Sequence, residues 1–194
     1  FNYYAKVNFK SVYDIVNALG GVTVHSDYNF SSYASYTLKT YNFKKGENYV
    51  MGDAALAFAR ERRSFANGDR QRGIHQQVLI KAVIEKAISP SMLIPSNIED
   101  MLKAISNNTK TNFSEKEIKK LISYQMSSMG KEWKFESMSV DGKGVSNYIY
   151  AYPNQLLYTM EPDMETVYAA KEAILAVMSG EELPKDTESN VSSN

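Results

Sequence analysis

The segment VNFKSVYDIVNALGGVTV, Val7–Val24, decides the fold of this 194-residue chain. It overlaps an alternating stretch, Tyr3–Phe9, that predicts a β-strand. A helix is expected over Ser11–Leu19, with Ser11 as its cap, and Gly20-Gly21 ends it before the strand-like Val22–Val24. The order strand, helix, strand predicts a βαβ-like unit, and therefore an α/β fold.

The same mixture continues along the chain. A Tyr/Ser-rich loop is predicted over 28–36, then a strand over 37–43 and a short helix over 52–58. The remaining pattern predicts helices at about 70–88, 96–106, 114–127 and 164–178, and strands at 133–140 and 145–150 around a turn at Asp141-Gly142. We therefore expect an α/β fold with a central mixed sheet flanked by helices, an α/β/α sandwich.

Composition limits the chemistry that the chain can perform. The absence of cysteine excludes disulfides, thiolate nucleophiles and Cys-based zinc sites within it. Two histidines, His25 and His75, offer little material for a multi-histidine metal site or a Ser/His/Asp triad. The net charge of zero gives no general attraction to nucleic acid or anionic lipid. Catalysis would therefore rest on local charge stabilisation.

All five arginines of the chain lie within thirteen residues, RERRSFANGDRQR, at positions 60–72. Lysine carries the positive charge elsewhere. Arginine presents a planar, permanently charged fork of donors that matches oxyanions. The cluster therefore predicts a local anion site, with phosphate as the favoured ligand.

The spacing within the cluster predicts which side chains converge. Arg60 and Arg62 point to the same side only in an extended segment, which requires the short helix to end near Phe58. Arg72 and Gln76 lie four residues apart on one face of the long helix, whose N-terminus favours an anion. These four side chains predict a phosphate site, and a surface ion-pair network remains an open alternative.

The neighbouring residues have simpler interpretations. Asp69 precedes the predicted long helix and is expected to be its N-cap, with pairing to an arginine as the alternative. Arg63 and Arg70 lack the spacing to join the other arginines and are expected in surface roles. His75 and Gln77 point in other directions around the helix, so we expect them at the surface or the core edge.

Two motifs resemble the signatures of the LytR-CpsA-Psr family. One is GDAALAFARERRSFANGDRQRGIHQQ, residues 52–77, in which ALxFxRxR is followed by an Asp, an Arg three residues later and a Gln four beyond that. The other is the segment 7–24 with its double glycine and valine. The resemblance is close over about the first 90 residues and looser beyond them, and it is strongest to the streptococcal capsule member.

The resemblance implies a phosphotransferase that acts on the extracellular face of the membrane of a Gram-positive bacterium. Such an enzyme moves a glycopolymer, capsular polysaccharide or teichoic-acid-like, from undecaprenyl pyrophosphate to peptidoglycan. By position, Arg60, Arg62, Arg72 and Gln76 match the family's pyrophosphate-binding residues, and Asp69 matches its acidic partner. The resemblance therefore implies Arg60, Arg62, Asp69 and Arg72 as catalytic residues, with Mg²⁺ sharing the charge.

The family's magnesium-binding aspartates, further arginines and membrane-spanning anchor are expected upstream of Phe1. We therefore expect residues 1–184 to be the C-terminal portion of the catalytic domain, and 185–194 to be a disordered polar tail. The sheet should then be incomplete. The chain alone should be inactive and should need the N-terminal part of the same protein as a partner.

Two functions without catalysis stay open. One is a module that binds polyprenyl phosphate, and the other is a regulatory module of the transcriptional attenuator type. Zero net charge and the lack of aromatic residues interleaved with the arginines argue against a nucleic-acid partner. A lipid carrier or sensor would use the same arginines as the enzyme.

Overall fold

The structure is a computed structural model that describes residues 3–92, 94–128, 135 and 137–181. The chain divides into two compact units, Phe1–Lys134 and Phe135–Asn194. The first unit contains, in chain order, β1 (Ala5–Lys6), α1 (Phe9–Ala18), β2 (Val22–Ser26), β3 (Phe30–Ala34), β4 (Lys39–Phe43), β5 (Gly46–Val50), α2 (Gly52–Arg60), α3 (Gly68–Ala87), α4 (Pro95–Asn108), β6 (Lys110–Thr111) and α5 (Glu115–Ser127). The second unit contains β7 (Gly142–Ile149), β8 (Tyr152–Pro162) and α6 (Met164–Ser179).

The α/β class is confirmed, and the pairing of the strands differs from the predicted single mixed sheet. Within the described residues the strands form four two-stranded antiparallel ladders, β1 with β6, β2 with β5, β3 with β4, and β7 with β8. The connections from β3 to β4 and from β7 to β8 are short. Such connections close antiparallel hairpins, whereas parallel pairs need a crossover of a dozen or more residues.

The strand β3 shows why a Tyr/Ser-rich composition misleads. The prediction of a loop over 28–36 is wrong, because residues 30–34 form a strand paired with β4. Its alternate residues Phe30, Ser32 and Ala34 are buried. The buried face therefore includes a serine and an alanine. A strand is recognised from sequence when large apolar residues alternate with polar ones, so this strand gives only a weak pattern.

The core of the first unit is an apolar cluster between the helices and the ladders. Phe30 and Phe43 stack with ring centroids 4.8 Å apart, and Phe58 lies edge-on to Phe43 at 5.3 Å. Phe58 is fully buried. This cluster packs α2 against β3 and β4. The other buried members are Val16, Leu19, Val22, Val24, Ala34, Val50, Ala55, Ala57, Ala59, Leu79, Ala82, Met92 and Met101.

Two helix starts illustrate the capping rules. The prediction that Ser11 caps α1 is wrong, because Asn8 is the N-cap and Ser11 completes a capping box with it. Of the strand predicted over 3–9, only Ala5–Lys6 forms a strand. The predicted capping box of Ser114 and Glu117 at the start of α5 is confirmed.

The second unit is a long hairpin followed by a helix. The hairpin turns between Ile149 and Tyr152, so the predicted turn at Asp141-Gly142 is wrong, and residues 137–140 are not a strand. Residues 133, 134 and 136 of that predicted strand lie outside the described residues. The helix α6 ends at Ser179, and the capping residue Gly180 that follows adopts the left-handed conformation, as expected of a glycine cap. The predicted disordered tail, 185–194, also lies outside the described residues.

Candidate functional site

The start of α2 is held by a side chain from α1. The Oδ1 atom of Asn17 accepts a hydrogen bond from the Gly52 N–H at 3.0 Å. The N-cap of α2, Met51, makes no side-chain cap, so Asn17 satisfies this helix terminus from another element. Gly52 also packs directly on Tyr13, where a Cβ would lie 2.6 Å from the ring. The two motifs are therefore joined at the start of α2.

The end of α2 is a sharp exit from helical geometry. Arg60 is the last helical residue, and Glu61 is extended, with φ −66° and ψ 132°. The Glu61 carboxylate accepts hydrogen bonds from the Arg63 N–H at 2.6 Å and from the Ser64 N–H at 3.0 Å. These bonds fold the loop that follows α2 back over Glu61.

Glu61 is buried, with 8% of its surface exposed, and it remains an anion. Burial raises the pKa of its carboxyl. Hydrogen bonds from the Ser32 side chain and from the backbone N–H groups of the following loop outweigh burial, so the pKa lies below its usual value. The loop therefore closes around a fixed negative charge.

The structure brings Arg62, Asp69 and Arg72 together. Asp69 Oδ1 lies 3.7 Å from a guanidinium nitrogen of Arg62 and 3.2 Å from one of Arg72. The prediction that Asp69 is an N-cap is wrong, because α3 begins at Gly68 with Asn67 as its N-cap. Asp69 lies instead in the first turn of α3, where the helix dipole favours a carboxylate. Its pairing with arginines was the alternative.

These three side chains face solvent. The exposed fractions are 57% for Arg62, 73% for Asp69 and 36% for Arg72. Ion pairs that are exposed in this way contribute little to folding, roughly 0–1 kcal/mol. Their donors therefore stay accessible to a second anion. The carboxylate aligns two guanidinium groups, one from the loop after α2 and one from α3.

Arg60 is held by aromatic rings. Its guanidinium carbon lies 4.5 Å from the ring centroid of Phe9 and 5.3 Å from that of Tyr36. The predicted extended Arg60-Glu61-Arg62 is wrong at its first residue, since the extended backbone begins at Glu61. The reason is tertiary, because side chains of α3 bind the last carbonyls of α2.

Tyr36 supports Arg60 as a neutral phenol. Its hydroxyl donates a hydrogen bond to the Asp53 carbonyl oxygen at 3.0 Å. Burial, and then the charge of Asp53, raise the pKa of Tyr36 to about 12, while the charge of Arg60 opposes the rise. The hydroxyl therefore stays protonated at neutral pH, and the guanidinium of Arg60 lies over the uncharged ring.

Gln76 and His75 lie against the end of α2. The Gln76 side-chain amide donates to the Ala59 carbonyl oxygen at 3.4 Å. His75 is 1% exposed, with Nδ1 3.2 Å from the Phe58 carbonyl oxygen. The expectation of a surface or core-edge histidine is wrong, because residues 75, 79 and 82 form the buried face of α3. That spacing of four and three was the available signal.

The sequence pattern does not single out Gly68, because it stands inside an apparent loop. A Cβ at this position would overlap the Arg62 carbonyl oxygen and would lie 3.0 Å from its carbon. Gly68 has an ordinary negative φ, so its role is space rather than backbone freedom. The first residue of α3 therefore touches the backbone that carries Arg62. The dipeptide Asn67-Gly68 gives no sign of this approach.

A magnesium site is not formed by the residues that the structure describes. No group of three or more His, Cys, Asp or Glu among them could hold a metal ion. Asp69, the carboxylate of the cluster, is already paired with two cations, which repel a third. Magnesium ligands outside these residues stay a prediction. In the described part of the chain, no helix is both long and apolar enough to cross a membrane.

Curated proteins that resemble this chain include teichoic acid transferases of the genus Bacillus. TagU of Bacillus mycoides (strain KBAB4), a polyisoprenyl-teichoic acid–peptidoglycan teichoic acid transferase, is 41% identical over 114 residues, which are 59% of this chain and 35% of that protein. TagU of Bacillus subtilis (strain 168) is 37% identical over 113 residues, 58% of this chain and 34% of that protein. The chain thus spans about a third of the length of these relatives.

Solved structures agree with the fold. The crystal structure of B. subtilis TagV matches 94% of this chain and 65% of that chain with a TM-score of 0.70 and 26% identity. That of gbs0355 from Streptococcus agalactiae matches with a TM-score of 0.69 over 95% of this chain and 59% of that chain. At 23% identity it shows the fold alone. The LytR_cpsA_psr family matches residues 1–165, and the chain therefore belongs to this family.

Proposed function

We propose that this chain is part of a phosphotransferase that moves a glycopolymer from a polyprenyl pyrophosphate carrier, undecaprenyl pyrophosphate, to peptidoglycan. The observation that carries the proposal is the convergence of Arg62 and Arg72 on Asp69, at 3.7 Å and 3.2 Å. The relatives named as teichoic acid transferases support the class of reaction. Capsular polysaccharide and teichoic acid both remain candidates for the polymer.

The chemistry requires charge neutralisation more than a covalent nucleophile. A peptidoglycan sugar hydroxyl attacks the phosphorus next to the polymer and forms a new P–O bond. The bridging P–O bond of the pyrophosphate breaks, undecaprenyl phosphate leaves with the electron pair, and the hydroxyl proton is released to solvent. Negative charge grows on the leaving phosphate. Guanidinium forks from Arg62 and Arg72 are suited to stabilise that charge.

The remaining predicted residues take supporting places in this proposal. Arg60, fixed over Phe9 and Tyr36, offers a third cation for the pyrophosphate. Asp69 orients the arginines. We also propose that Mg²⁺ is held by residues outside the described part of the chain. An N-terminal membrane-spanning segment would keep the protein on the extracellular face of the membrane.

The test is transfer of lipid-linked glycopolymer to peptidoglycan by the full-length protein. Arg62→Ala is expected to lower the rate about 100-fold, the size of effect expected when one donor to a developing charge is removed. Arg63→Ala is the matched control, because Arg63 is exposed and contributes its backbone N–H to Glu61. Equal losses in the two variants would contradict the proposed role of Arg62.

Binding separates the enzyme from a lipid carrier or sensor. The full-length protein should bind polyprenyl pyrophosphate and also transfer polymer, and Arg62→Ala should weaken both. A wild-type protein that binds the lipid and transfers nothing would support the binding module. Binding of DNA that weakens steeply with salt would instead favour the regulatory module.

A further inference from the structure

We infer that His75 and Gln76 are positioning residues, which hold the end of α2 against α3 and so set the separation of Arg62 from Arg72. The inference rests on the proposed function and extends it to side chains that act through the backbone. The spacing and the family resemblance predict that Gln76 also contacts the pyrophosphate, and this stays a prediction. The structure places its amide on the Ala59 carbonyl, beside the bond from His75 to the Phe58 carbonyl.

The two bonds satisfy groups that a helix end leaves unpaired. The last four carbonyl groups of an α-helix have no partner within the helix. Phe58 and Ala59 lie among the last four residues of α2. Consecutive side chains of α3 therefore bind consecutive carbonyls of α2, and each bond ties one helix to the other.

The same bonds stop α2 from continuing. In a longer helix, the Phe58 and Ala59 carbonyls would accept from the N–H groups of Arg62 and Arg63. Instead the carbonyls bind α3, and the Arg63 N–H donates to the Glu61 carboxylate. The backbone is thereby released from the helix at Glu61, and Arg62 is carried toward Asp69. The backbone groups that would form the next helical turn thus bind the side chains of Glu61, His75 and Gln76 instead.

The environment of His75 shows that its Nδ1 matters more than its ring. The ring stacks on Phe58 at 4.3 Å and on Phe30 at 5.0 Å, with Phe65 edge-on at 5.3 Å. A phenylalanine would fill an aromatic box of this kind at lower cost. His75 Nε2 is buried without a hydrogen-bond partner among the described residues, and such an atom destabilises the fold. The imidazole therefore contributes through Nδ1–H, the donor to the Phe58 carbonyl.

Position matters here because a pyrophosphate must contact both arginines at once. The hydrogen bonds from His75 and Gln76 to the Phe58 and Ala59 carbonyls are together called the clamp. Arg62 follows these carbonyls by a few residues, and Arg72 lies one turn before Gln76 on α3. A displacement of about 1 Å at a reacting group can cost about 100-fold in rate. Loosening the clamp is thus expected to affect transfer more than folding.

The test compares two substitutions at His75 in the full-length protein. His75→Phe keeps the ring and removes both the donor and the unpaired Nε2, so its melting temperature should equal or exceed that of the wild type. His75→Asn keeps a donor near the Nδ1 position and loses the ring, so it should melt lower. Transfer should rank in the opposite order, with His75→Phe reduced about tenfold and His75→Asn closer to the wild type.

A residue that acts only through packing would make transfer follow the melting temperature. If His75→Phe transfers polymer at the wild-type rate, the inference is wrong. Hydrogen exchange in the ligand-free protein gives a readout that does not need transfer. His75→Phe should speed exchange of the amides at 62–64 about fivefold, the value of one lost hydrogen bond. Unchanged exchange there would also overturn the clamp.

The exchange measurement separates failure of the clamp from failure of the proposed function. A wild-type protein without transfer activity would refute the function, and exchange at 62–64 would still decide the clamp. Gln76→Met, which keeps the length of the side chain without its amide, serves if His75→Phe does not fold. It should speed exchange of the same amides before any ligand is added, which a residue that only binds pyrophosphate would not do.

Discussion

The two ends of α2 are each held by side chains from another helix, and they differ in what they control. At the start, Asn17 of α1 accepts one hydrogen bond from Gly52. At the end, His75 and Gln76 of α3 donate to two carbonyls, and the chain then carries Arg62 to Asp69. The start secures the helix, whereas the end also places charge. A substitution at the first end should therefore change stability alone, whereas a substitution at the second end should also change function.

The largest effect is expected where Gly68, the first residue of α3, contacts the backbone of Arg62 in the loop after α2. Gly68→Ala places a methyl group on the Arg62 carbonyl, and overpacking against backbone should cost about 1–3 kcal/mol in the free energy of unfolding. It should also weaken binding of polyprenyl pyrophosphate. Urea denaturation and lipid binding measure the two effects.

Gly73→Ala is the matched control on the same helix. A Cβ at Gly73 meets nothing within 4 Å, and its φ is ordinary. Alanine there should stabilise the protein by roughly 0.5–1 kcal/mol through helix propensity. Equal responses at positions 68 and 73 would contradict the close approach of Gly68 to Arg62.

A smaller effect is expected at the start of α2. Asn17→Ala removes the acceptor for the Gly52 N–H and should cost about 1 kcal/mol in the free energy of unfolding, as for a lost helix cap. Asn17→Asp keeps an acceptor and adds a charge that the helix dipole favours, so its stability should match or exceed the wild type. Transfer by folded Asn17→Ala should stay close to wild type. A loss like that of Arg62→Ala would erase the contrast between the two ends.

The smallest effect is the dependence of stability on pH at His75. Burial lowers the pKa of its imidazole, and this outweighs the Phe58 carbonyl and the charges of Asp27 and Glu61, which raise it. As the pH falls below 6.5, the unfolded chain binds a proton that the folded chain resists, so stability decreases. His75→Phe should lose this part of the pH profile. Identical profiles in wild type and variant between pH 5 and 7 would show that His75 does not titrate in this way, since about 6.5 is its ordinary pKa.

The parts of this structure that local sequence could predict are those held by local bonds. The capping box at Ser114 and the glycine that ends α6 are complete within a few residues, and both were predicted. The end of α2 was misplaced because its carbonyls are bound by residues seventeen positions away. A pattern of neighbouring residues cannot predict a hydrogen bond between residues that far apart in sequence.

The candidate site divides in the same way. The arginine cluster and the pairing of Asp69 were within reach of composition and spacing. Gly68 and His75 were not recognised, because a glycine needed for space and a histidine needed for one buried donor resemble ordinary loop and surface residues. The spacing of residues 75, 79 and 82 indicates that His75 is buried. The contacts that give Gly68 and His75 their roles, with Arg62 and with the Phe58 carbonyl, form only when α3 packs against α2 and the loop that follows it.

The most direct test of the central claim is a double-mutant cycle on binding of polyprenyl pyrophosphate to the full-length protein. If Arg62 and Arg72 grip one pyrophosphate, Arg62→Ala and Arg72→Ala should couple by at least about 0.5 kcal/mol. The cycle of Arg63→Ala with Arg72→Ala serves as the control and should be additive. Additive effects in the first cycle, or no loss of binding in either single variant, would contradict a pyrophosphate site shared by Arg62 and Arg72.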